Sequence, residues 1–195
     1  MKEKLHAFYH KDFFEVKDKV EIQEIAPQAH ACKVTLIGKD LIIINKDFLQ
    51  SKVFTQAAVF NLESITDEIV IDAKNKVIYL FELKTTIWTG EIRKAQMQLS
   101  ASYLKLAVYL SLIVDIQAFE VKLFIVGNIS NRIKDKDLAL KNKKGNGFFL
   151  IEKLAREKIY HFPKFPERVY HEINPCYQKQ QVAFEHLLPN SFITL

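Results

Sequence analysis

The chain is poor in cysteine. Among 195 residues only Cys32 and Cys176 occur, far apart and without the spacing of zinc ligands, so both are expected to be free thiols in a reducing compartment. No apolar signal core stands at the start, which reads "MKEKLHAFYHKDFFEVKDK". No apolar run is long enough for a membrane span, because Tyr103 to Ile116 is too short and interrupted. A cytoplasmic protein without a membrane partner is therefore expected. There is no internal repeat, no low-complexity tract and no obvious linker. The six histidines, His6, His10, His30, His161, His171 and His186, do not cluster in sequence, and none is given a role. Neither sign of charge dominates. The net charge of +5 is compatible with a polyanionic partner without requiring one.

What is present suits one α/β domain over residues 1–195. Apolar residues make up 49% of the chain, too many for disorder. The first thirty residues mix charges and aromatics without a clear period. Cys32–Ile37 and Leu41–Ile44 then read as two short strands around a Gly-Lys-Asp turn. Apolar residues at Phe48, Leu49, Val53, Phe54, Ala57, Ala58 and Val59 fit an amphipathic helix. Ile92, Ala95, Leu99, Ser102, Leu106 and Leu110 recur at helical spacing, with Thr89 as the expected N-cap and Glu91 favourable near the helix start. A strand is expected from Phe119 to Val126. A helix is expected from Phe148 in "FFLIEKLAREKIYHF", and a short one in "QKQQVAFEHLL".

The stretch "TDEIVIDAKNKVIYLFELKTT", Thr66 to Thr86, is an apolar hairpin with charges at its far end. With Lys74-Asn75 as the turn, Asp72 faces Val77, Ile71 faces Ile78 and Asp67 faces Glu82. Directly opposed side chains share a sheet face, roughly 5 Å apart. Glu82 and Lys84, two residues apart on one strand, also share a face. A turn longer by one residue would instead put Glu68 opposite Glu82. Two carboxylates so close repel, and their pKa values separate unless a cation neutralises them. Hard oxygen ligands converging on one point suit Mg²⁺ or Mn²⁺. A lysine beside them can stabilise an anion or help to activate water. Such a set can hydrolyse a phosphodiester. Glu68 and Asp72 are expected outside the site, facing solvent or ending a strand. Trp88, the only tryptophan, is expected to pack rather than stack on a base. Tyr103 and Tyr109 are expected in the core or an interface.

The spacing of Asp67 from Glu82-Leu83-Lys84 resembles the active-site motif of the PD-(D/E)XK nuclease superfamily, which includes many restriction endonucleases. The resemblance covers roughly residues 48–126. It implies a restriction-endonuclease-like core, a central mixed sheet flanked by helices, with the motif on a β-hairpin. It implies Asp67 and Glu82 as metal ligands, the main-chain carbonyl of Leu83 as a further ligand, and Lys84 as the catalytic lysine. "KAQMQLSASYL" resembles the glutamine-bearing helix that follows the motif in many branches, and Gln98 is the residue matched. Thr66 stands where the name-giving proline would be. Many members add a glutamate from the preceding helix, where Glu63 is the better carboxylate on offer.

The function expected is that of a DNA endonuclease dependent on Mg²⁺ or Mn²⁺. Arg132, Lys134, Lys141, Lys143 and Lys144 form a run that could grip phosphates in a salt-sensitive way. A solvated loop explains the run as well. At this size a homodimer or a partner subunit is one route to cutting both strands. The rival expectation is a catalytically inactive nucleic-acid-binding or assembly protein with the same fold.

Overall fold

The computed structural model describes residues 1–23, 32–50, 64–129, 159–161 and 183–195. The expected helix beyond Gln50, Glu63, Cys176 and the basic run from Arg132 to Lys144 lie outside these residues, as does most of the helix expected from Phe148.

Short apolar runs on β3 (Glu68–Asp72) and on β4 (Val77–Ile87), Ile69 to Ile71 and Val77 to Phe81, build the centre of the sheet. Ile69, Ile71, Ile78 and Leu80 point to one face, and Val70, Val77, Tyr79 and Phe81 to the other. Both faces are covered, which is why β4 carries almost no polar residue before Glu82. On one face a core forms against helix α1 (Lys2–Phe8) and helix α2 (Thr89–Leu110). Among the described residues both helices lie on this face. The other face closes over Cys32, Leu36 and Phe124, with Leu187, Ile193 and Leu195 packed against it.

The remaining strands are β1 (Phe14–Gln23), β2 (Lys33–Ile44), β5 (Glu120–Ile129), β6 (Ile159–His161), β7 (Ala183–Leu187) and β8 (Ser191–Thr194). The order is β1-β2-β3-β4-β5-β7-β6, with β8 also paired to β2. β1 to β4 run antiparallel in sequence, while β4–β5, β5–β7 and β2–β8 are parallel. The chain is thus an α/β protein with a mixed, open sheet. Parallel neighbours need a crossover connection, and α2 lies in the one between β4 and β5.

Several local expectations are corrected. Gly38-Lys39-Asp40 is no hairpin turn: β2 runs through it as one strand. Lys17 pairs with Leu41 but Lys19 with Ile37, so a bulge absorbs the extra residues, with Asp40 at φ 60°. The bulge moves the apolar phase from Val34 and Leu36 to Leu41 and Ile43 on the same face. The unpatterned start holds α1 and β1. Ala183–Leu187 and Ile159–His161 are strands where helix was expected, because their partners' ladders override weak local preference. The N-cap of α2 is Trp88, whose carbonyl accepts from the Ile92 amide, and Thr89 is already the first helical residue.

Candidate active site

The hairpin pairs Asp72 with Val77, Ile71 with Ile78 and Glu68 with Phe81. This is the register expected from the shorter turn, and Glu68 does not oppose Glu82. Asp72 ends β3, one of the two places expected for it, and is buried rather than solvent-facing because it holds the turn together. Its Oδ1 accepts from the Lys74 and Asn75 amides at 3.0 Å each, and its Oδ2 from Asn75 Nδ2 at 2.7 Å.

Asp67 stands one residue ahead of β3, in phase with Ile69 and Ile71, and its amide continues the ladder by donating to the Phe81 carbonyl at 3.0 Å. Its Oδ2 accepts from the Leu83 amide at 2.6 Å. The Leu83 side chain is buried in the opposite core, so Leu83 offers the site only its main chain. Glu68, one residue on, has the opposite phase. Burial raises its pKa, and it lines a separate cleft of about 440 Å³ with Lys11, Glu15 and Lys46. None of Asp67, Glu82, Lys84 or Gln98 lines that cleft. It adjoins them through Lys46, whose ammonium donates to the Asp67 carbonyl at 2.9 Å.

Glu82 is 1% exposed. Its Oε1 lies 2.5 Å from Lys84 Nζ, and its Oε2 has no hydrogen-bond partner among the described residues. The neighbouring Thr66 hydroxyl donates instead to the Phe81 carbonyl, at 2.5 Å. Burial, then the Asp67 charge, pushes the Glu82 carboxyl up to about 7 against the pull of Lys84. Burial disfavours the Lys84 ammonium, but Glu82, Glu91 and Asp67 together outweigh it and hold its pKa above the ordinary value.

Helix α2 supplies the other wall. Gln98 Oε1 accepts from Lys84 Nζ at 3.2 Å, and Gln98 Nε2 donates to the Ile65 carbonyl at 3.0 Å. Glu91 Oε2 lies 3.4 Å from Lys84 Nζ. The structure therefore brings together Asp67, Glu82, Lys84 and Gln98, with the Leu83 main chain. Sequence reasoning saw in Glu91 only a favourable helix-start charge. Its seven-residue spacing from Gln98 puts both on one helix face, and that signal was legible.

Two further neighbours were missed. Gly127 on β5 pairs with Lys84, and a Cβ built there would sit 2.2 Å from the Lys84 carbonyl oxygen. The β4–β5 register shifts just after this pair, between Lys84 and Thr86. His186, buried on β7, places Nε2 2.8 Å from the Gly127 carbonyl. Trp88 is half-exposed rather than packed away, and its ring lies over Gly90, where a Cβ would be 2.6 Å from it. Tyr103 is fully buried, and the Tyr109 hydroxyl donates to the Phe48 carbonyl at 3.0 Å.

Among the described residues no three or more His, Cys, Asp or Glu side chains are grouped to hold a metal ion. None of the described helices is long and apolar enough to cross a membrane. No family model matches the chain, and neither does any curated protein or solved structure.

Proposed function

We propose that the chain is a metal-dependent nuclease that hydrolyses DNA phosphodiester bonds on a core of the PD-(D/E)XK kind. The observation that carries this reading is Glu82. It is a deeply buried carboxylate on the Asp67 side of the sheet, with one oxygen on an ammonium and the other without a partner. A buried polar atom left unsatisfied costs about 1–3 kcal/mol, so an unpaired carboxylate oxygen calls for a ligand. A β-hairpin followed by the Gln98-bearing helix and then a further strand of the same sheet supports the same reading.

The donor set fits a hard divalent ion. Mg²⁺ is commonly held by one or two carboxylates, with water and substrate phosphate completing its shell. Asp67 and Glu82 are those two carboxylates, and the Leu83 carbonyl is the further oxygen the resemblance implies. Bound there, Mg²⁺ or Mn²⁺ would polarise the phosphoryl oxygen and lower the pKa of water.

The chain's own residues do the rest. Lys84 keeps its proton at neutral pH and offsets charge that develops on the phosphate. Gln98, tied at its nitrogen to Ile65, holds the ammonium from the helix side. Glu91 adds a second anion beside Lys84. The run of Arg132, Lys134, Lys141, Lys143 and Lys144 grips the DNA backbone, and two copies or a partner subunit complete a double-strand cut.

The test is cleavage of plasmid and single-stranded DNA with Mg²⁺ or Mn²⁺, alongside Glu82→Ala and an EDTA control. Metal-dependent cutting by the wild type that Glu82→Ala abolishes is expected. Salt-sensitive DNA binding without cutting by either protein would replace the nuclease with a binding or assembly module.

A further inference from the structure

The residues just ahead of Asp67 are held by side chains from a single helix. Lys105 Nζ donates to the Ser64 carbonyl at 3.1 Å. Gln98 Nε2 donates to the Ile65 carbonyl at 3.0 Å. Ser102 Oγ accepts from the Thr66 amide at 2.7 Å. Gln98, Ser102 and Lys105 are spaced by four and three residues, so they form one stripe of α2. Three consecutive residues are each held by one of these side chains, and the next residue is Asp67.

Lys105 is the member that packing alone does not explain. It is 1% exposed, and burial pushes its pKa down to about 8. An amine so placed destabilises the fold relative to an apolar chain of the same length. Methionine would fill the space without that cost, so the amine is explained by the carbonyl it holds. That carbonyl lies three residues before a carboxylate of the site.

We infer that Lys105 and Ser102 are positioning residues for a divalent-cation site at Asp67 and Glu82, fixing the Ser64–Thr66 run so that the Asp67 carboxylate stays beside Glu82. This rests on the nuclease reading above and adds to it the support that sets cation affinity. Neither residue touches the ion or the DNA. Their effect passes through the main chain.

The experiment is Mn²⁺ titration of the full chain without DNA, with free Mn²⁺ followed by electron paramagnetic resonance. Wild type, Lys105→Met and Ser102→Ala are compared, each with its melting temperature and its steady-state DNA cleavage. Lys105→Met is expected to melt at or above the wild-type temperature yet bind Mn²⁺ about tenfold or more weakly, the usual scale for removing support behind a ligand. Its kcat should fall while KM for DNA changes by less than about twofold. Wild-type Mn²⁺ affinity in folded Lys105→Met and Ser102→Ala would overturn the positioning role and leave the nuclease reading intact. No Mn²⁺ uptake by the wild type would overturn both. Should Lys105→Met not fold, Ser102→Ala decides by the same Mn²⁺ titration, with weaker binding expected and unchanged binding overturning the role.

Discussion

Lys84 Nζ lies 2.5 Å from Glu82 Oε1, and the two side chains leave the same face of β4 toward α2. The pair is buried, so each charge depends on the other. Lys84→Met strands Glu82 without its ammonium. At pH 8 the variant is expected to lose about 1–3 kcal/mol of stability, the cost of an unpaired buried group. The loss shrinks at pH 5.5, where Glu82 takes up a proton. Urea denaturation at the two pH values measures it, and an equal loss at both would show that the pair does not behave as a coupled unit.

The Glu82 carboxyl also sets a slope of stability against pH. Its folded pKa, about 7, lies above the ordinary 4.5. Between these values the folded protein holds a proton that the unfolded chain has released. Its contribution is therefore full below about pH 4.5 and is lost as pH rises through 7. Glu82→Gln is expected to remove this slope. Denaturation across pH 5–8 checks it. A cation bound at the site favours the ionised form, so Mg²⁺ should release protons near pH 6.5, readable in lightly buffered solution.

Asp72 governs the turn, not the chemistry. Asp72→Ala is expected to cost about 2 kcal/mol, since two amides and one side-chain donor lose a charged acceptor. Asp72→Asn keeps an acceptor and should lose less. Chemical denaturation of both variants separates them, and equal losses would mean that the carboxylate's hydrogen bonds do not hold the turn.

Gly127→Ala tests the close approach of β5 to β4. The added carbon would meet the Lys84 carbonyl oxygen, a backbone atom that cannot rotate away. A loss of about 1–3 kcal/mol is expected from the strand separation this forces. The chemical shifts of Lys84 and Thr85 should move with it, and an unperturbed spectrum would contradict the contact.

The hairpin register was legible from its turn: Lys74-Asn75 as the central residues gives the observed pairs, while a turn one residue longer would have set Glu68 opposite Glu82. Asp67 and Glu82 followed from that register. Helix α2 was legible from its apolar period, and within it Gln98. β1 was not, because its phase changes at the bulge between Lys17 and Lys19, so Phe14 and Val16 serve one core while Val20 and Ile22 serve the other. β7 was missed because Glu185 and His186 interrupt a five-residue strand that pairs with β5 and β6. Ser102 sat in the predicted apolar stripe, yet its hydroxyl serves the Thr66 amide. Lys105 carries no sequence signal beyond a charge at a buried position, which only the packed helix reveals.

From Val77 to Phe81, β4 has a paired strand on each side and a core on each face. The amides of that stretch have no local route to water, so their exchange with solvent should require opening of the whole sheet. Glu82 and Lys84 lie just past that stretch, where β5 is the paired strand beside them. Amide exchange should therefore be slowest from Val77 to Phe81 and faster from Glu82 onward, so the end of the strand that carries the candidate site can loosen before the sheet opens.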